Sequence, residues 1–240
     1  MNGCAALQRF EEVAARVRAA ELRAGRNPGG VTILLASKGQ SGETMRALAE
    51  GLAVRGVAAV FGESYVQEFE KKRAAFSDLK ARVDFIGGLQ RNKARAAASM
   101  FDVIQSVDSL KLAQALDRAA ATLAKRQAVY VQVNVSNDPG KRGCPAAELE
   151  PLCRGIVKEC PALKLCGVMT ITRFYERADE ARPDFRLTAE LARRAEAAVG
   201  FGLEVSMGMS SDFEIAVEEG ATVVRIGSAV FGGRPGGGWI

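Results

Sequence analysis

Short apolar runs rich in β-branched residues recur along the chain, and each is followed by a stretch with apolar positions at helical spacing. The runs are VTILLAS (31–37), VAAVF (57–61), VDFIG (83–87), VIQSV (103–107), AVYVQVNV (128–135), KLCGVMT (164–170), LEVSMG (203–208) and TVVRIG (222–227). Their length and composition predict buried strands. Helices are predicted over 42–51, 64–76, 91–100, 109–125, 146–159, 182–199 and 211–219. SLKLAQALDRAAATLAKR sets Leu110, Leu112, Leu116 and Ala119 on one stripe, and SSDFEIAVEEGA reads as a short capped helix ended by Gly220. An amphipathic helix precedes the first strand. Strands alternating with helices imply a parallel sheet, and eight such units in 240 residues match a closed (β/α)8 TIM barrel. A doubly wound open sheet is the competitor, but no G-x-G-x-x-G opens a helix. The expected organisation is one domain over 1–240, with the 1–28 helix packed on the barrel and a flexible tail at 234–240.

Composition narrows the chemistry. With 48% hydrophobic and 25% charged residues, the chain is of ordinary globular type. The net charge of +5 is spread out, and its densest cluster, EKKRAAF at 70–76, lies in a helical pattern without interleaved aromatics. It is a solvated face rather than a nucleic-acid groove. There is no histidine, which removes Ser-His-Asp and Cys-His catalysis and histidine metal sites. The cysteines (4, 144, 153, 160 and 166) form no C-x-x-C pair and match no zinc spacing, so no metal is expected. An odd count of this kind points to reduced thiols and a cytoplasmic location. No run approaches the length that spans a membrane.

A barrel of this kind carries its reactive groups at the C-terminal ends of its strands, with phosphate held by the loops after strands seven and eight. After strand seven comes SMGMSSD: Gly208 allows close backbone approach, and Ser210 and Ser211 bring hydroxyls to a helix start. After strand eight, Arg225, Gly227 and Ser228 in RIGSAVFG open what reads as one helical turn. Backbone N–H groups with serine hydroxyls make an anion cradle. Taken singly, the serines are also ordinary helix caps and Arg225 an ordinary salt-bridge partner. Lys38, at the end of LLASKGQ, terminates strand one beside strand eight once the barrel closes. A strand-end lysine is commonly just solvated. Beside a phosphate cradle it binds phosphate as a point charge or forms a Schiff base with an aldehyde, and pyridoxal 5′-phosphate satisfies both features. Asn134 ends strand five at the same mouth, facing a ligand ring or closing its own turn. Asn92 and Lys93 are rim contacts or a helix start, Lys141 is a solvated loop residue, and Met169 packs against a ligand or, the better reading, fills the core.

The stretches LLASKGQ, FGESYVQEFEKK, DFIGGLQRNKAR, VQVNVSNDPGKRG, GVMTI and SMGMSSDFEIAVEEGATVVRIGSAVFG together resemble the pyridoxal phosphate homeostasis proteins. These YggS-like proteins are single barrels related to the N-terminal domain of alanine racemase, with the type III cofactor fold. The likeness runs from about residue 31 to 233. It implies that Lys38 carries the cofactor as a Schiff base. It further implies that Ser210, Arg225, Gly227 and Ser228 contact the phosphate and that Met207 and Gly208 line the cofactor. The chain departs from the family pattern at Ser64, where asparagine is usual, and at Asp84, where histidine is usual. Ser228 replaces a frequent threonine and keeps the hydroxyl.

Three readings of function remain. One is a protein that holds, buffers or delivers the cofactor, with dependent apoenzymes as partners. A second is a racemase or decarboxylase on the same barrel, and a third is an aldolase-type barrel acting on sugar phosphates. The third is weakest, because Lys38 ends strand one and the resemblance covers the chain. Only fifteen residues follow Arg225, which leaves no room for the β domain that completes an alanine racemase site. The tyrosines at 65, 130 and 175 sit in no catalytic motif, and racemisation needs an acid and a base on opposite faces of a carbanion. The expectation is a monomeric carrier without catalytic residues, binding neither nucleic acid nor membrane.

Overall fold

Each predicted strand pairs with its neighbour in chain order, and the last returns to the first. In the computed structural model, which describes residues 3–76 and 78–232, the strands are β1 (Thr32–Ala36), β2 (Val60–Glu63), β3 (Arg82–Phe85), β4 (Val103–Val107), β5 (Gln127–Asn134), β6 (Cys144–Pro145), β7 (Leu163–Thr170), β8 (Glu204–Ser206) and β9 (Val223–Ile226). All pairings are parallel, and the ring runs β1-β2-β3-β4-β5-β7-β8-β9 before closing onto β1. This is the eight-stranded TIM barrel read from the sequence. The two-residue β6 was not foreseen. It pairs with the end of β5 because the chain doubles back at Gly143, where φ is +126° and a Cβ would lie 2.7 Å from Asn134 N. The tail at 234–240 lies outside the described residues.

The helices are α1 (Gly3–Arg23), α2 (Gly42–Val54), α3 (Val66–Lys72), α4 (Ala94–Met100), α5 (Leu110–Thr122), α6 (Leu149–Glu159), α7 (Arg182–Val199), α8 (Phe213–Glu218) and the single turn α9 (Ser228–Phe231). Their apolar stripes cover the outside of the barrel. Met45, Leu48, Leu52, Phe61, Phe85, Phe101 and Phe213 are fully buried in that layer. α1 buries Ala6, Phe10, Val13, Val17 and Ala20, at helical spacing, and packs beside α2, α8 and α9. Its buried Glu21 carboxylate accepts from Gly29 N at 2.8 Å and Val31 N at 2.9 Å, shaping the entry into β1. Among the described residues no helix is long and apolar enough to cross a membrane, and no cluster of three metal-ligating side chains occurs.

The barrel interior is polar at its waist. Strand alternation turns Asp84, Gln105, Ser206 and Arg225 inward, above a small apolar plug of Val103, Tyr130 and Met169. They form one hydrogen-bonded chain. Arg82 donates to both Asp84 oxygens at 2.7 and 2.8 Å, and Gln105 Nε2 donates to Asp84 Oδ2 at 2.7 Å. Ser206 Oγ donates to Gln105 Oε1 at 2.7 Å and accepts from Arg225 Nη1 at 2.8 Å. Asp84, the unusual residue of the sequence, is therefore paired by its own strand neighbour Arg82. Burial pushes the Asp84 carboxyl up, while Arg82 and Gln105 pull it back.

Candidate functional site

The register of β1 against β9 brings the sequence candidates together. Leu34 stands opposite Arg225 and Leu35 opposite Ile226, so the chain beyond β1 runs beside Gly227 and Ser228. Lys38 lies two residues past β1 in an exposed turn, on the same alternating face as Leu34 and Ala36. Gly39 supplies the turn with φ +76°.

The two loops opposite Lys38 are joined by Ser210. Its hydroxyl accepts from Gly227 N and from Ala229 N, both at 3.2 Å. The predicted serine cap on α8 is absent: the cap residue is Asp212, which makes no side-chain capping bond. Asp212 instead accepts from Met209 N at 2.6 Å, closing the 209–212 turn and leaving Ser210 directed at the neighbouring loop. Burial raises the Asp212 carboxyl, against the pull of Met209 N–H and Arg225. Gly208 has φ +87°, and a Cβ there would lie 2.5 Å from Ala216 Cβ and 3.0 Å from Phe213 Cα. Its carbonyl accepts from Arg225 N at 3.0 Å, which ties the two loops again. Accepting from both the Gly227 and Ala229 N–H groups, the Ser210 hydroxyl keeps its own proton to donate to a phosphate oxygen. The residues present fit that group.

Other candidates sit elsewhere. Arg225 is buried, and its side chain extends below this cradle: Nη1 meets Ser206, and Nη2 donates to Thr170 O at 2.7 Å. Desolvation brings its guanidinium down to about 10, so it remains a cation at neutral pH. Met207 belongs to the core between barrel and helices, because alternation turns Ser206 inward and Met207 outward. Asn134 closes its own loop, its amide donating to Asp138 O at 2.9 Å. Asn92 lines a separate rim cleft of about 600 Å³ with Arg91, Lys111 and Arg142. Cys144 and Cys153 are buried, which pushes their thiols up to about 12 and leaves them poor nucleophiles.

The residues around Lys38 that sequence reasoning missed are Glu63, Glu68 and Lys72. Glu63 is fully buried, accepts from Ser37 Oγ at 2.5 Å and pairs with Lys72 Nζ at 2.8 Å. Burial raises its carboxyl despite both partners. The signal was a glutamate ending the apolar strand VFGE.

Comparison with known proteins agrees with the barrel fold. The sequence profile described as alanine racemase, N-terminal domain, matches residues 9–235. The pyridoxal phosphate homeostasis protein of Pseudomonas aeruginosa is 40% identical over 230 residues, covering 95% of both chains. That of Aquifex aeolicus is 38% identical over 236 residues, covering 98% of this chain and 99% of its own. The structure of PipY from Synechococcus elongatus with PLP bound superposes with a TM-score of 0.77 at 33% identity, covering 92% of this chain and all of that one.

Proposed function

Since the chain belongs to the pyridoxal phosphate homeostasis protein family, we propose that it is a carrier of pyridoxal 5′-phosphate, holding the cofactor for release to dependent apoenzymes without substantial turnover of its own. The observation that supports this reading is the β1–β9 register, which runs the chain leading to Lys38 alongside the loop that Ser210 joins through Gly227 and Ala229. When bound, the cofactor supplies an aldehyde carbon that reacts with amines. Lys38 offers the amine, and Gly227, Ser228, Ala229 and Ser210 hold the phosphate. Gly208 lets α8 approach so that the Ser210 loop reaches its partner. Arg225 stands beneath the site as a fixed buried cation.

Several features support a carrier over a racemase or decarboxylase. Proton transfer at a substrate carbon needs a positioned acid and base. The Tyr130 hydroxyl is committed to Glu204, toward the N-terminal end of the barrel. The Tyr175 hydroxyl donates to Asp184 at 2.8 Å, and Tyr65 is exposed. Lys38 itself is exposed, so a held cofactor has a route out. We extend the reading to a cytoplasmic monomer. The test is equilibrium titration of the apoprotein with pyridoxal 5′-phosphate and with pyridoxal, with inorganic phosphate as competitor. Saturable binding of the phosphorylated form, opposed by phosphate, is expected; equal binding of both aldehydes would remove the cradle from the account.

A further inference from the structure

A lysine is rarely buried, and a buried one directs its N–H groups at whatever the fold needs held. Lys72, near the end of α3, is only 9% exposed. Its ammonium donates to Ser37 O at 3.1 Å, to Gln40 O at 3.2 Å and to Glu68 Oε1 at 3.0 Å, and pairs with Glu63 at 2.8 Å. Those two carbonyls bracket Lys38. The two carboxylates each take a second donor from the same turn: Glu63 from the Ser37 hydroxyl at 2.5 Å, Glu68 from Gly39 N at 2.6 Å. Ser37 N donates to Gly62 O at 3.0 Å, and Gln40 N donates back to Ser37 O at 2.9 Å.

An ion pair that only tied α3 to the barrel would have no reason to spend its donors on carbonyls on either side of one lysine. We propose that Lys72, with Glu63 and Glu68, is a positioning device for Lys38: it fixes the 37–40 backbone so that the Lys38 amine is aimed at the cradle formed by Ser210 and Gly227. The proposal rests on the cofactor reading and deepens it. Lys72 acts through the backbone that bears Lys38. Misplacing a reacting group by about an ångström costs one to two orders of magnitude in effective concentration. Holding the base of a side chain with four rotatable bonds is the inexpensive way to avoid that loss.

The experiment separates attachment from phosphate binding. Wild type, Lys72→Met and Lys72→Arg are titrated with pyridoxal 5′-phosphate, and the fraction fixed at Lys38 by borohydride is mapped by peptide mass. The same proteins are titrated with pyridoxine 5′-phosphate, which has the phosphate but no aldehyde. Melting temperatures of the apo forms are recorded in parallel. Expected for Lys72→Met is a loss of attachment affinity of roughly tenfold or more, with pyridoxine 5′-phosphate affinity within about twofold of wild type. Lys72→Arg, which keeps the charge and several donors, should recover part of the loss. Should Lys72→Met fail to fold, Glu68→Ala answers the same question, because that side chain is one-third exposed and yet accepts from Gly39. It should weaken attachment about threefold and leave pyridoxine 5′-phosphate binding unchanged, on the same positional ground. Unchanged attachment in Lys72→Met, or an equal fall for both ligands with a lowered melting temperature, would overturn the positioning role. Wild type that never fixes pyridoxal 5′-phosphate at Lys38 would overturn the cofactor reading, and this role with it.

Discussion

At the scale of single residues, the site divides into groups that stand at the cradle and groups that brace the interior beneath it. Ser210 is of the first kind. Its hydroxyl stands where two N–H groups converge, so it marks and completes the phosphate position. Hydrogen bonds to a charged ligand contribute about 1.5–3 kcal/mol each, so Ser210→Ala should weaken pyridoxal 5′-phosphate by about tenfold or more. The unphosphorylated aldehyde should lose far less; parallel losses in the two titrations would move the phosphate elsewhere. Arg225 is of the second kind, with donors on Ser206 and Thr170. Replacing it by methionine leaves Ser206 Oγ and Thr170 O short of a donor in a buried interior, costing about 1–3 kcal/mol for each orphaned group. That loss should appear as a lower melting temperature of the apoprotein. The sequence revealed which residues stand at the mouth, but not where each points. Arg225 and Met207 were both expected on the cofactor, and only the observed register separates an inward position 225 from an outward position 207.

At the scale of elements, the loops after β8 and β9 and the short α8 behave as one unit. Gly208 is its hinge. An alanine there meets both a positive φ and a 2.5 Å collision with Ala216 Cβ, and Gly208→Ala should lose about 1–3 kcal/mol of stability by denaturant unfolding. No measurable change would mean that α8 moves freely, against the close packing described. The far end of α8 is held by charge. Arg182 donates to Glu218 at 2.7 Å and to Glu219 at 2.7 Å. The Arg182 hydrogen bond holds the Glu218 carboxyl below its usual 4.5. A carboxylate whose folded value is depressed stabilises the fold above its unfolded value, and that contribution is lost as pH falls through the folded one. Thermal scans should therefore show Arg182→Met destabilised at pH 7, with the gap to wild type closing well below pH 4.5. The pair is partly exposed, so solvent screens it, and the gap shrinks in high salt. A gap that widens in acid would contradict the pairing. The helices and strands themselves were legible because hydrophobic period announces them. β6 was not, since a two-residue strand has no period and exists only through the fold-back at Gly143.

At the scale of the whole molecule, the closed barrel follows from eight β-branched runs alternating with amphipathic helices, and that pattern is strong in the sequence. The interior was harder to see. Strands of a parallel barrel are buried on both faces, so alternation does not say which face is lined by what. The only trace of the internal chain from Arg82 to Arg225 was polar residues placed inside apolar runs, Asp84 in VDFIG and Gln105 in VIQSV. A barrel mouth that leaves Lys38 exposed suits release better than turnover. Mixed with alanine, serine, lysine, ornithine or arginine, the loaded protein should exchange α-protons slowly and show no sustained racemisation or decarboxylation by NMR. Turnover of about 1 s⁻¹ or more would make it an enzyme. The central claim, that Lys38 and the opposing cradle together hold the cofactor, meets its most direct test in borohydride reduction of the loaded protein followed by peptide mapping. The cofactor should be fixed to the peptide bearing Lys38, and that label should vanish in Lys38→Ala while the melting temperature of the apoprotein is unchanged. Fixation of wild type at another lysine, such as Lys93, and never at Lys38 would contradict it.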